Sequence, residues 1–386
     1  MAAPMHSREG TRVAVIGAGA IGLSAAWRMA QRGAAVTVFD KGEAGRGASH
    51  AAAGMLAACV EAEPGEEALV ALCRRSQAMW PDFAAELEQA SGLSVDLRQE
   101  GTLLVGLTAD DGARLAHDFE FQKSLGLPVE WITAAQARKR EPHLGSRLAG
   151  AIFSPEDGQV DNRKLGLALK AAALGAGVTI REHAEVKRID LAKGRVRGVT
   201  LGDGSAIEAD AVLLAAGAWS RGIEGLPPET RPPVRPLKGQ MLALQMDPKA
   251  PLLRHVVWAP SIYLVPRHDG RLLVGATVEE KGFDATLTAG GVLSLLEAAW
   301  RAVPAIEELP IAEMWVGHRP GSRDDAPVVG PGPADGLFYA TGHHRNGILL
   351  TPVTADAVAR LVLKGFEDAA MRPFGLQRFA TLRAAE

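Results

Sequence analysis

The stretch from residue 12 to residue 40 constrains the fold of this chain more than any other. Residues 13–16 (VAVI) form a short apolar run rich in β-branched side chains, which is typical of a strand buried on both faces of a parallel sheet. Gly17, Gly19 and Gly22 follow with the spacing G-x-G-x-x-G. The pattern predicts a strand, a glycine turn, a helix and a second strand, which is the βαβ unit of a doubly wound sheet.

Each glycine of this motif has its own physical reason. Gly17 permits the tight turn, Gly19 lets a pyrophosphate approach the backbone, and Gly22 lets the helix predicted over 23–32 pack closely on the strand. The amide groups at the start of this helix would face the phosphates. Asp40 ends the second strand, where a carboxylate accepts hydrogen bonds from ribose hydroxyls. An acid at this place disfavours NADP and leaves FAD and NAD as candidates.

Glycines alone would also fit a structural turn that binds no ligand. Here strand, glycines, helix, strand and acid stand in the order that a nucleotide site requires, which favours the binding interpretation. A run of small residues over 45–56 follows directly. It is suited to a large planar ligand lying against the backbone, although a flexible loop has the same composition.

Composition and charge narrow the class of protein further. The 386 residues are enough for two domains, and the net charge of −3 offers no basic field for nucleic acid or a membrane surface. Cys59 and Cys73 are too few for a disulfide framework, and the leader before Arg12 lacks the apolar core of a signal peptide. No apolar run is long enough to cross a bilayer. The sequence therefore predicts a soluble cytoplasmic protein with a small-molecule substrate, and it leaves a homo-oligomer open.

The order of the predicted elements indicates two interleaved sheets. Strand patterns over 209–214 and 337–341 return to the first sheet, whereas those between 239 and 319 build a second, antiparallel one. The predicted fold is mixed α/β, with a Rossmann-like cofactor domain interleaved with an antiparallel-sheet substrate domain. The cofactor domain is assigned residues 1–90, 147–226 and 325–386, and the substrate domain residues 91–146 and 227–324.

Three local predictions are more detailed. The helical pattern over 67–92 is expected to break near Pro81. Residues 95–107 suggest a pair of strands with Gly101 at the turn, and residues 321–336 suggest a Pro/Gly loop. Only one G-x-G-x-x-G occurs, so the sequence shows no second nucleotide fold for NADPH, and the reductant is expected to be the substrate itself.

Several motifs resemble the FAD-dependent D-amino-acid oxidase superfamily, and within it the bacterial glycine oxidases linked to thiamine-thiazole synthesis. The resemblance covers nearly the whole chain, and the segment after the last buried strand, GHHRNGILL, is its most specific part. The motifs are 51–56 (AAAGML), 216–220 (AGAWS), 236–240 (PLKGQ), 263–267 (YLVPR), 270–277 (GRLLVGAT), 315–321 (WVGHRPG) and 342–350 (GHHRNGILL).

The resemblance implies a D-amino-acid oxidase/glutathione-reductase-like fold that binds FAD in an extended form. The positions that match the family's FAD contacts are Gly17, Gly19, Ala20, Ile21, Gly22, Asp40, Lys41, Ala48, Ser49, Ala53, Gly54, Met55, Val186, His343, His344, Arg345, Asn346, Gly347, Ile348 and Leu349. Monomeric sarcosine oxidases attach flavin through a late cysteine, and this chain has none after Cys73, so the FAD is expected to be non-covalent.

The resemblance also implies the residues that bind the substrate. Arg319 maps to the arginine that holds the substrate carboxylate, Tyr263 to a tyrosine that helps it, and Arg345 to a second arginine on the substrate side. From the residues alone, Arg319 could instead form a structural ion pair and Arg345 could cap a helix. The pair His343–His344 has no accompanying cluster of acidic or cysteine ligands, so no metal site is predicted.

The implied chemistry needs little from the protein beyond binding and orientation. A neutral amine gives hydride from Cα to flavin N5, the imine hydrolyses in water, and oxygen reoxidises the flavin; no general base is required. Lys238 matches a lysine near the flavin in the family, and Ser261 and Val278 match pocket positions that carry larger side chains in a close relative. The substrate is therefore left open among glycine, sarcosine, D-alanine and cyclic D-imino acids.

Two other functions compete with an oxidase. One is an FAD subunit of a sarcosine, D-amino-acid or hydroxyproline-type dehydrogenase, which would pass its electrons to a partner protein and produce little peroxide alone. The other is the tRNA-modifying branch of the same superfamily, which the slightly acidic charge balance disfavours.

Overall fold

The computed structural model describes residues 10–380. The strands are β1 (Arg12–Ile16), β2 (Ala35–Phe39), β3 (Met55–Leu56), β4 (Thr102–Gly106), β5 (Glu130–Ile132), β6 (Gly150–Ser154), β7 (Gly158–Gln159), β8 (Thr179–Arg181), β9 (Val186–Ala192), β10 (Arg195–Leu201), β11 (Ala206–Glu208), β12 (Ala211–Leu214), β13 (Arg235–Gln245), β14 (Val256–Ala259), β15 (Ile262–Pro266), β16 (Arg271–Gly275), β17 (Ile311–Gly321), β18 (Val328–Pro331) and β19 (Leu337–Thr341).

The helices connect these strands and cover their faces. They are α1 (Ala20–Ala30), α2 (Ala48–Ala51), α3 (Glu67–Ser91), α4 (Ala109–Ser124), α5 (Ala134–Arg140), α6 (Asn162–Gly175), α7 (Ala289–Ala302) and α8 (Thr351–Lys364). None of those described over residues 10–380 combines the length and the apolar character that crossing a bilayer requires. The prediction about the leader falls largely on residues 1–9, which lie outside the described range.

The first sheet has six strands in the order β18-β19-β12-β1-β2-β8. The pairs from β19 to β8 are parallel, and only β18 runs antiparallel. Helices α1, α3, α6 and α8 cover one face through a buried apolar core, while strands β9–β11 cover the other. The predicted βαβ unit is confirmed, and so is the prediction that this sheet is built from the start, middle and end of the chain.

The second sheet has eight strands in the order β17-β13-β16-β15-β14-β4-β6-β5, and only the pair β14–β4 is parallel. Helix α7 packs on one face against Leu242, Leu264 and Val274, so the opposite face is left for the site described below. Strand β6 pairs within this sheet, although the predicted division assigns residues 147–226 to the cofactor domain. The division into domains otherwise stays a prediction.

The structure corrects all three local predictions. Helix α3 continues through Pro81, because Pro81 lies on the exposed face while Trp80 and Phe83 anchor the helix to the core. Residues 95–107 are not a hairpin: Arg98 bridges to Gln159, and β4 pairs with β6 and β14 instead. The predicted loop over 321–336 contains β18, which pairs with β19.

Candidate active site

A cavity of about 510 Å³ runs along the carboxyl ends of the first sheet's strands. This is the edge at which open α/β sheets bind ligands, and the volume lies within the range of small-molecule sites. One end is lined by Asp40 and Val186, the middle by the start of α1, and the other end by residues 343–348 except Asn346.

The backbone fixes the carboxylate of Asp40 at the first end of this cavity. Its Oδ2 accepts from the amide of Ala18 at 2.8 Å, and its Oδ1 accepts from the amide of Gly42 at 2.9 Å. Each carboxylate oxygen has a further lone pair, so both can still accept from a ligand hydroxyl. The ammonium of Lys41 lies 3.7 Å from the ring centroid of Trp219, which also lines the cavity.

The start of helix α1 has the donors that a phosphate needs. Gly19 is the N-cap residue and has no side chain to cap the helix, while the amide of Ala20 donates to Oγ of Ser49 at 2.9 Å. A Cβ on Gly22 would lie 1.9 Å from the carbonyl oxygen of Gly17, which explains the glycine there. Unsatisfied amides at a helix N-terminus suit an anion, so this part of the cavity fits the pyrophosphate of FAD.

The segment of small residues over 45–56, which contains α2, is held in place by a buried arginine, Arg267. Arg267 donates to the carbonyls of Val160 and Ala53 at 2.9 and 2.7 Å, and to Oδ1 of Asn162 at 2.9 Å. Asn162 in turn donates to the carbonyl of Ser49 at 2.9 Å. Burial lowers the pKa of Arg267 to about 10, so it remains charged at neutral pH. Arg267 is a positioning residue whose role the motif 263–267 does not reveal, because its hydrogen-bond acceptors lie more than 100 residues earlier in the chain.

A second, smaller cavity of about 100 Å³ adjoins the first. The residues that line both are Ala48, Ala52, His344, Arg345 and Ile348. A ligand in the small cavity would therefore lie against one end of whatever fills the large one. The small cavity is lined on its other sides by the free face of the second sheet, where the predicted substrate residues lie.

Arg319 and Tyr263 lie side by side on this face because the neighbouring strands carry glycines. A Cβ on Gly239 would lie 2.5 Å from Nη1 of Arg319, and one on Gly275 would lie 2.5 Å from the ring of Tyr263. Nη1 of Arg319 donates to the carbonyl of Thr277 at 3.1 Å, its side chain is also hydrogen-bonded to Tyr263, and no ion pair of Arg319 is found within residues 10–380. Burial raises the pKa of Tyr263, whose hydroxyl is therefore a donor at neutral pH.

Arg345 lines both cavities but has a different electrostatic environment. Its Nε donates to Oε2 of Glu61 at 3.1 Å and its Nη2 to Oε2 of Glu66 at 2.6 Å. Burial raises the pKa of Glu61 to about 7, although the neighbouring Arg345 lowers it. These ion pairs favour Arg319 over Arg345 as the ligand of a substrate carboxylate.

Most of the predicted cofactor residues line the large cavity. They are Gly17, Gly19, Ala20, Ile21, Asp40, Lys41, Ala48, Ser49, Val186, His343, His344, Arg345, Gly347 and Ile348. The small cavity is instead lined by Ala53, Gly54, Met55, Asn346 and Leu349, together with Arg319 and Tyr263. Gly22 lines neither cavity and has the packing role described above.

Three further residues that the resemblance pointed to, Lys238, Ser261 and Val278, line neither cavity. Lys238 is completely buried and its Nζ donates to Oδ2 of Asp284 at 2.6 Å, so it lines neither cavity. Ser261 lies in the turn between β14 and β15, and Val278 is 68% exposed. Neither of these two contributes to the walls of either cavity, so they do not widen the site.

His343 and His344, which line the large cavity, are neutral at physiological pH. Burial lowers the pKa of His343 to about 3 and that of His344 to about 4. Over residues 10–380 no group of three or more His, Cys, Asp or Glu side chains is arranged to hold a metal ion. The histidines therefore serve as neutral walls of the cavity.

A Rossmann-like sheet with a dinucleotide cavity, next to a small cavity on an antiparallel sheet, defines an FAD-dependent oxidoreductase. The DAO family of FAD-dependent oxidoreductases matches residues 12–361, and the chain belongs to this family. The predicted resemblance, fold class and cofactor are thereby confirmed.

The chain is similar to the glycine oxidase of Geobacillus kaustophilus, with 38% identity covering 95% of this chain and 96% of that protein. The crystal structure of glycine oxidase from that species superposes with a TM-score of 0.89, at 37% identity, over 95% of this chain and 99% of that one. The bifunctional protein ThiO/ThiG of Synechocystis sp. is 38% identical over 96% of this chain, which spans only 54% of that longer protein.

The crystal structure of the iminodiacetate oxidase from Chelativorans sp. is also similar. It superposes with a TM-score of 0.85 at 29% identity, covering 94% of this chain and 98% of that one.

Proposed function

We propose that this protein catalyses the oxidative deamination of glycine or of small D-amino or N-methyl amino acids. For glycine the balance is glycine, oxygen and water giving glyoxylate, ammonia and hydrogen peroxide. One observation carries the proposal: a small cavity that contains Arg319, an arginine without an ion-pair partner among residues 10–380, adjoins the cavity that fits FAD. The similarity to glycine oxidases at 38% identity supports the same substrate class.

In this proposal the protein binds and orients the amino acid. The planar guanidinium of Arg319 can hold both carboxylate oxygens, and the hydroxyl of Tyr263 can donate to one of them. The small volume of this cavity, about 100 Å³, leaves little space for a large side chain, which favours glycine. FAD, held by Asp40 and by the amides at the start of α1, would supply the redox chemistry by which hydride leaves Cα and oxygen is reduced.

The pathway is proposed from the relatives alone. The names of the bifunctional ThiO/ThiG proteins link them to thiamine synthesis, and this chain matches about half of their length. We therefore propose that its imine product serves thiazole formation. A cytoplasmic location, a homo-oligomeric state and non-covalent attachment of FAD also stay predictions.

The proposal is tested by mixing the purified holoenzyme anaerobically with glycine, sarcosine, D-alanine, D-proline and larger L-amino acids. Flavin bleaching by one or more of the small substrates, followed by peroxide release when air is admitted, is the expected result. Bleaching without reoxidation by oxygen would favour the dehydrogenase subunit instead. If none of the small amines bleaches the flavin, the proposed function is wrong.

A further inference from the structure

The two arginines of the small cavity differ in how their charge is compensated. Arg345 is held by Glu61 and Glu66 at 3.1 and 2.6 Å, whereas Arg319 contacts only the neutral carbonyl of Thr277 and the neutral hydroxyl of Tyr263 and forms no ion pair within residues 10–380. The side chains of Arg345, Glu61 and Glu66 are 23%, 13% and 20% exposed, so solvent screens this arrangement little. Arg319 is therefore the cation whose charge is available to a ligand.

Because Glu61 neutralises Arg345, the number of carboxylates that a substrate can carry into the small cavity depends on the position of Glu61. Glu61 itself lines the small cavity, whereas Glu66 stands behind Arg345 and does not. One substrate carboxylate can be neutralised by Arg319. A second carboxylate would lie in the same small cavity with Glu61, and its charge would be repelled unless Arg345 were released.

We propose that Glu61, by holding Arg345, restricts this enzyme to amines that carry a single carboxylate. Glu61 is thus a specificity-determining residue that excludes dicarboxylates such as iminodiacetate, which is glycine with a second carboxymethyl group on its nitrogen. This inference rests on the proposed function for its substrate class. The charge arrangement itself can be tested separately with ligands that are not oxidised.

The test compares Glu61→Gln with the unmodified holoenzyme. Gln keeps the size and a hydrogen-bonding oxygen but removes the charge, so a second carboxylate is no longer repelled by residue 61 and Arg345 is held by Glu66 alone. Binding of malonate and of acetate to the FAD-loaded protein is measured by calorimetry, and flavin reduction by iminodiacetate and by glycine is measured anaerobically. We expect the affinity for malonate relative to acetate, and the kcat/KM for iminodiacetate relative to glycine, each to rise by about tenfold or more.

Glu297→Gln is the matched control. Glu297 is exposed on α7, which covers the opposite face of the second sheet, and forms no ion pair within residues 10–380, yet its substitution changes the net charge by the same amount. Both ratios should stay within about twofold of the unmodified protein, since an exposed charge is screened. If Glu61→Gln does not retain FAD, Glu66→Gln takes its place and is expected to shift both ratios in the same direction by a smaller factor.

Two results would overturn the inference. One is an unchanged malonate-to-acetate ratio in both the Glu61 and Glu66 variants, and the other is an equal rise in the Glu297 control. If glycine fails to bleach the flavin in every form while the malonate ratio rises as expected, the proposed function fails and the charge arrangement stands. The two failures are therefore distinguishable.

Discussion

The guanidinium of Arg319 occupies the space that a side chain on Gly239 would fill. A Cβ there would lie 2.5 Å from Nη1 and 2.9 Å from Cζ of the arginine. Strands β13 and β17 are directly paired, with Gly239 opposite Gly317 two residues before Arg319. The absent side chain therefore lets the guanidinium lie flat on the sheet, facing the small cavity.

Gly239→Ala should displace this guanidinium and lower kcat/KM for glycine by roughly 10- to 100-fold, because a shift of about 1 Å in a positioning group can have such an effect. The measurement is steady-state oxidation at equal FAD content. Gly290→Ala is the control, since a Cβ there meets nothing within 4 Å. Equal activity of the two variants would mean that the position of Arg319 does not matter.

Arg319→Ala should cost about 2–5 kcal/mol of transition-state binding, because a buried charge-assisted contact to the substrate carboxylate is lost. Arg319→Lys should recover only part of this, since an ammonium cannot hold both oxygens in one plane. The values come from the ratio of kcat/KM for glycine in each variant to that of the unmodified enzyme.

A primary amine without a carboxylate is the control substrate for this series. Its slow oxidation should be nearly indifferent to Arg319→Ala, because it never makes that contact. Tyr263→Phe should cost about 1 kcal/mol and be non-additive with Arg319→Ala, since both address one carboxylate. Equal losses for amine and amino acid would assign Arg319 to the support of the fold or the flavin.

The FAD of this protein should be released into the supernatant when the protein is precipitated by acid. Gly19→Leu should abolish flavin retention, because the new side chain would occupy the approach of the pyrophosphate, and even a Cβ there meets Oγ of Ser49 at 3.3 Å. The absorbance of flavin per mole of purified protein measures both. Flavin that remains with the precipitated peptide would show a covalent bond.

Arg267→Met should lower the free energy of unfolding by roughly 3–5 kcal/mol and weaken FAD binding. The substitution leaves the buried carbonyls of Ala53 and Val160 without their donor, and each unsatisfied group costs about 1–3 kcal/mol. Denaturant unfolding and flavin titration of the apoprotein measure the two effects. The exposed Arg197→Met serves as the control, and a similar loss in both would show that the buried network is unimportant.

The relative affinity for malonate should depend on pH through Glu61. Its pKa is raised by burial, and further by Asp157 and Glu63, to about 7 against the lowering effect of Arg345. The carboxylate is therefore neutralised as the pH falls through 7, and Arg345 is then held by Glu66 alone.

The malonate-to-acetate affinity ratio should consequently rise about two- to fivefold between about pH 8 and about pH 6.5, a range in which both ligands stay ionised. Calorimetry of the holoenzyme measures the ratio. Glu61→Gln should abolish the dependence, and a dependence that persists in this variant would assign the titration to another group.

The sequence predicts the nucleotide half of the molecule best, because its information is local. Residues 12–40 contain strand, turn, helix and acid in contiguous order, and the structure reproduces each of them. Strands β4 and β18 were misjudged because each is defined by its partners in other parts of the chain.

In the candidate site, too, the sequence predicts residues that lie in local motifs and misses those whose roles depend on distant partners. Arg319 and Tyr263 were found because they lie in motifs that resemble the family. Glu61 was not predicted, because its role depends on Arg345, which is 284 residues away in the chain. The role of Arg267 was not predicted for the same reason, since its four hydrogen-bond acceptors belong to residues 53 and 159–162. Electrostatic partnerships between distant segments leave no periodic pattern in a sequence.

Gly17 and Ile348 line the same cavity, which has a consequence for how the protein is made. On the ribosome, the glycine turn emerges early, but the opposite wall does not exist until synthesis has passed Ile348. The first sheet is also incomplete until β19, the partner of β12, has been synthesised. Cofactor capture is accordingly one of the last events in maturation, and the cellular supply of FAD can limit how much newly made chain reaches the native state.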